Sequence, residues 1–270
     1  MAQDRQGGSD ERRPRGSSSN EPRQRTAPRA SGPNRARRAQ PESAPEASAE
    51  QAGPTLSPEI EARQLSPEIR RELTTLDRNT ADFVARHLVA AGELFDDDPA
   101  AALEHARAAR ARSGRIAAVR EAVGIAAYRC GDWAQALAEL RAARRLGSKS
   151  PLLALIADCE RGIGRPERAI ELARSPEAAQ LTGDDADELR IVVAGARSDL
   201  GQQDQALAIL STPQLDPTRS GQAPARLFYA YAEALLALDR KEEALQWFIN
   251  AAAADVEGVT DAEERITELG

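Results

Sequence analysis

The chain has 270 residues, 29% of them charged, a formal net charge of −7 and only 3% aromatic side chains. It holds no uncharged apolar run long enough to cross a bilayer, which excludes a membrane-spanning protein. So few aromatics suit an elongated stack of small elements, each buried by small and aliphatic residues, better than one large globule. Of the 36 basic residues only Lys149 and Lys241 are Lys. Cys130 and Cys159 fit no CxxC or metal spacing, and the N-terminus has no apolar leader core. The expectation is a soluble cytoplasmic protein with reduced thiols.

Residues 1–55 are rich in Pro, Ser, Gly, Ala, Arg and Gln, with Met1 the sole large apolar side chain. Such a stretch cannot offset the entropy of ordering, so a disordered arm is expected. Residues 1–40 hold ten Arg against four acids. One reading is a basic arm for a polyanion. The other is an Arg-biased solubilising tail, favoured because no aromatics are interleaved to stack bases. Residues 56–79 follow as a linker and capping helix. They contain a duplication, Leu56-Ser57-Pro58-Glu59-Ile60 and Leu65-Ser66-Pro67-Glu68-Ile69. Ser, Pro and Glu in that order start a helix, through a cap, a first-turn Pro and an acid at the positive end of the dipole. A helix over 67–77 is predicted.

From residue 80 to 258 the pattern is helix, short turn, helix, five times over. Ala102, Ala136, Ala169, Ala206 and Ala244 recur at steps of 34, 33, 37 and 38 residues. Twelve residues before each stands another small residue: Ala90, Gly124, Ala157, Ala194 and Ala232. The first helix shows Phe83, Val84, His87, Leu88, Ala91 and Leu94 at helical spacing. Asp98-Pro99 starts its partner. Pro176 and Pro213 end the second helices of repeats three and four early, which places extra residues in loops over 177–185 and 214–223. Thr260-Asp261-Ala262-Glu263 has the form of a capping box opening a final capping helix over 259–270.

The series Gly124, Gly131, Trp133, Ala136, Leu140 and Ala143 resembles the tetratricopeptide repeat, and Ala232, Ala244, Phe248 and Ala251 resemble it nearly as well. The Arg bias and the arm make the chain similar to small actinobacterial members of that family. The resemblance implies an all-α, right-handed solenoid of helical hairpins, TPR-like, with a disordered N-terminal arm. It also implies a groove lined by the first helix of each hairpin that binds peptides. Carrying the register over, that groove would be lined by Glu121, Arg129, Asp158, Arg161, Arg226, Tyr229 and Glu233, with His87 near one end. Members that clamp a chaperone's C-terminal carboxylate use Lys and Asn; here His87, Ala91, Glu121 and Ile125 stand there, so no such clamp is expected.

No catalytic constellation, metal set or cofactor motif stands out, so no enzyme, cofactor or metal is expected. His87 and His105 fall on the two helices of one hairpin and could approach one another; packing or solvation is the expected role. Both cysteines are expected as half-buried small apolar groups.

Residues 101–150 carry a net +6 and residues 233–270 a net −7. Arg107, Arg141 and Arg174 share one position of the second helix, and Arg110 and Arg144 another, with Arg145 beside them. Stacked hairpins would space such a basic patch at about 10 Å per rung. It could meet an acidic protein or nucleic-acid phosphates. The alternative, preferred, is cations placed by helix dipoles on a solvated face. The functional expectation is a scaffold or adaptor binding another protein or peptide, as a monomer or weak homo-oligomer. An RNA- or ribosome-associated protein using the arm and the Arg patch is the alternative.

Overall fold

The computed structural model describes residues 53–270, all within one compact unit of the chain. Apart from its last three residues, the arm expected over 1–55 lies outside the described residues. Those residues form twelve α-helices and no strand. A short helix α1 (Pro67–Glu72) precedes five helix pairs. The pairs are α2 (Arg78–Leu94) with α3 (Pro99–Arg112), and α4 (Ala117–Arg129) with α5 (Trp133–Arg145). Next come α6 (Leu153–Gly162) with α7 (Pro166–Leu172), and α8 (Gly183–Asp199) with α9 (Gln203–Leu210). The last pair is α10 (Gln222–Leu236) with α11 (Lys241–Ala254), and α12 (Ala262–Leu269) packs on α11. Each pair packs together and against the next, and α2 touches α4, α6 touches α8 and α8 touches α10.

One turn joins four of the five pairs. Gly131, Gly164, Gly201 and Asp239 stand at φ of 72°, 77°, 72° and 58°. The next amide then reaches back five residues: Asp132 to the Ala127 carbonyl, Arg165 to Glu160, Gln202 to Arg197 and Arg240 to Leu235, at 2.8–3.0 Å. This satisfies the orphan carbonyls at a helix end and needs a left-handed residue, which is why glycine recurs there. In the first pair no such residue stands; the Asp98 amide donates to the Leu94 carbonyl at 2.9 Å, and the Asp98 carboxylate caps α3 by accepting from the Ala101 amide at 3.0 Å.

All ten recurrent small residues are buried, and the five from Ala102 to Ala244 are fully so. Their size is required by close helix approach. A Cβ on Gly124 would lie 2.7 Å from Leu140 Cγ. Leu140, Ile156, Leu210, Phe228 and Phe248 fill the space between helices.

Several boundaries differ from expectation. The helix predicted over 67–77 stops at Glu72, continues as a 3-10 turn over Leu73–Thr75 and breaks before Asp77. Asp77 caps a new helix by accepting from the Asn79 and Thr80 amides. The first Leu-Ser-Pro-Glu-Ile copy makes a turn, not a helix. The loop expected over 177–185 holds a 3-10 turn (Ala178–Gln180), and α8 starts at Gly183, where Asp184 and Asp185 favour a helix N-terminus. Helix α10 likewise begins inside the loop expected over 214–223 and takes Pro224 in its first turn, where no amide is needed. The capping box at Thr260 does not form. Asp255 accepts from the Val259 and Thr260 amides and from the Thr260 hydroxyl, at 2.7–2.8 Å, so Thr260 is spent upstream of α12. Among the described residues no helix is long and apolar enough to cross a membrane.

Candidate interaction face

A concavity of about 1220 Å³ lies between α1, the facing sides of α2 and α4, and the loop of residues 146–150. Its apolar lining comes from Ile69, Leu88, Val89, Ala122 and Ile125, and Gly92 leaves open space where a side chain would stand. Glu121 borders it, its two carboxylate oxygens accepting from the Ser148 hydroxyl at 2.8 Å and the Ser150 hydroxyl at 2.6 Å. Glu93, Arg115 and Lys149 complete a rim of both signs. An apolar floor with a few fixed polar groups at its edge suits a short peptide segment.

Glu121 is the one expected groove residue that lines this cavity. His87 does not. It is 2% exposed, turned toward α3, with Nδ1 2.9 Å from Nδ1 of His105 and its ring tilted against Phe83, centroids 4.3 Å apart. One imidazole must donate and the other accept, so the accepting ring is neutral. Burial, then the neighbouring His105 and Arg86, lower His87 to about 4, and burial lowers His105 against the pull of Glu104. Both histidines are therefore packed, and a solvated role is ruled out for either.

The other expected groove residues tie hairpin to hairpin. Tyr128 of α4 donates to Asp158 of α6 at 2.5 Å. Burial first and this bond second raise the Tyr128 phenol above its usual value, so it remains a donor. Arg161 pairs with Asp158 at 2.7 Å and reaches Asp199 of α8 at 2.8 Å. Its guanidinium lies against Gly195, where a Cβ would come within 2.7 Å. Arg226 pairs with Glu188 of α8, Arg265 of α12 with Glu233, and Arg129 with Asp96, each at 3.0 Å. Burial, then its bond to Asp261, raises the Tyr229 phenol. These six expected groove residues all find partners within the array.

The Arg ladder is spent in the same way. Arg107 donates to Gln135 and Arg110 pairs with Glu139 at 2.9 Å. Arg141 pairs with Glu160, and Arg144 with Glu177. Glu139 and Glu160 are 5% and 1% exposed. Arg120 also holds Glu139 at 2.7 Å. A buried carboxylate without a cation is costly, so Arg110, Arg141 and Arg144 neutralise acids on the following hairpin and do not form a free cationic strip, whereas Arg107 meets only the neutral Gln135 amide. Arg145 and Arg174 are exposed and take part in none of these pairs.

Sequence reasoning missed Glu139, Glu160 and the buried Asp187, which Arg190 and Arg219 hold at 2.9 and 2.6 Å. It also missed Gly162, whose absent Cβ makes room for the Trp133 ring. The signal was present: a glycine at the end of α6, two residues before the turn position held by Gly164. Neither cysteine is the half-buried group expected: Cys159 is fully buried, which pushes its thiol up to about 12, and Cys130 is exposed at the end of α4. Among the described residues no three His, Cys, Asp or Glu side chains converge to hold a metal ion. No family model and no curated protein matches the chain.

Proposed function

We propose that this chain is a non-catalytic, cytoplasmic scaffold whose five hairpins stack as a right-handed, tetratricopeptide-like solenoid and bind a partner protein through a peptide segment. The recurrent turn, the buried small residues at helix crossings and the contacts between successive pairs support the architecture. The observation that carries the function is the cavity between α2 and α4, which combines an open apolar floor with the fixed Glu121 carboxylate. Apolar surface left open beside a satisfied polar group is what a binding face needs. The RNA-associated alternative is weakened because Arg110, Arg141 and Arg144 already neutralise acids of the array.

The test is selection from a random peptide library on the full chain and on Ile125→Glu. Peptides enriched on the unaltered chain and weakened at least tenfold by Ile125→Glu support the reading. Enrichment indifferent to Ile125→Glu, or binding of RNA that Arg145→Glu with Arg174→Glu abolishes, would replace it.

A further inference from the structure

Both Leu-Ser-Pro-Glu-Ile copies are seated on the first hairpins, and the second lends Ile69 to the wall of the cavity described above. In the first copy the Ile60 amide donates to the Ser57 carbonyl at 3.1 Å, closing a turn. Ile60 is 6% exposed, its carbonyl accepts from Arg86 Nε at 2.9 Å, and Leu56 packs against the same core. In the second copy the Ser66 hydroxyl accepts from the Ile69 amide at 3.3 Å. Leu65 is buried and Ile69 packs half-buried against that core. Twice, then, a serine-held turn places its flanking Leu and Ile on the array while Glu59 and Glu68 stay exposed.

The second copy is thinly held. Helix α1 contains no fully buried residue. Among the described residues one hydrogen bond joins it to a hairpin, from the Ala118 amide at the start of α4 to Glu72, 3.1 Å long. Leu65, Ser66 and Ile69 border the same cavity as Leu88, Val89 and Ile125.

We infer that α1 is a displaceable internal occupant of this face, and that the partner segment has the same chemistry. That segment is a short helix start in which one aliphatic residue precedes Ser-Pro-Glu and another follows it. This rests on the peptide-binding reading above and names its ligand class. A tethered segment competes at a high effective concentration, so a free peptide binds the unaltered chain weakly until α1 is released.

The experiment uses a fluorescent peptide with the sequence of residues 63–76, titrated by anisotropy into the full chain and into Ile69→Asp with Glu72→Ala. The released chain should bind at least tenfold more tightly than the unaltered one, and adding Ile125→Glu should remove the gain. Equal affinity for both chains, or no binding to a released chain whose circular dichroism and thermal unfolding are intact, overturns the inference. Should the variant fail to fold, hydrogen exchange on the unaltered chain decides: at saturating peptide the amides of residues 69–76 lose protection, and unchanged protection or failure to bind at all overturns it. Library peptides that depend on Ile125 while this peptide fails would retire the internal-occupant inference and leave the binding reading standing.

Discussion

The first-helix faces of the hairpins differ between the two halves of the array. Between α2 and α4 the surface is apolar and open, with Leu88, Val89 and Ile125 facing a cavity and Glu121 held by two serines. From α6 onward the same face is crossed by pairs: Arg161 to Asp199, Arg226 to Glu188 and Arg265 to Glu233. Charge content alone does not separate the halves. What separates them is where the pairs lie: at the α2–α4 end Arg129 and Asp96 pair beyond the helix ends and neither lines the cavity. Such part-exposed pairs contribute about 0–1 kcal/mol each. Their larger effect is to occupy groups that a ligand would otherwise meet, which leaves the α2–α4 end as the face with spare binding capacity.

The largest expected effect breaks the packed side of that end. Gly124→Leu places atoms where Leu140 already lies 2.7 Å from a Cβ, and should cost about 3 kcal/mol in urea unfolding. Acid should act next, through the histidine pair of the first hairpin. His87 and His105 are free to protonate near 6.5 once unfolded but resist it when folded, His87 down to about 4. The unfolded chain therefore binds more protons between these values. Stability is full above about pH 6.5, falls as pH drops toward 4, and should be lower by about 2 kcal/mol at pH 5. Thermal unfolding from pH 7.5 to 5 checks this, and His87→Phe with His105→Leu should flatten the slope. Arg161→Ala should cost about 1 kcal/mol, by removing the link between α6 and α8 while leaving Asp158 bonded to Tyr128. Gly92→Ala, facing open space within a helix, should gain about 0.5 kcal/mol by the same urea assay.

Much of the fold was legible because it depends on residue size and backbone freedom at fixed spacing. Ala102, Ala136, Ala169, Ala206 and Ala244 announced the crossings, and Pro176 and Pro213 the short second helices. The boundaries that moved were set by competing side chains: Asp77 capped a helix start, and Asp255 took Thr260 before it could cap α12. The candidate face was far less legible. Register put His87 on it, yet the imidazole faces its own partner helix and finds His105. Arg161 and Asp199 are 38 residues apart, and Arg226 and Glu188 are equally distant, so their pairing is invisible until the hairpins are stacked. Charges read one at a time look free, and only their neighbours in space show otherwise.

The most direct test of the account places a photo-crosslinking residue at Ile125 in one copy of the full chain and at Tyr229 in another, with crosslinked peptides identified by mass spectrometry. The account predicts a partner peptide attached through position 125 and none through position 229. Partner attachment through position 229 with none at 125 would contradict it, and would place the binding face on the half that the ion pairs were taken to close.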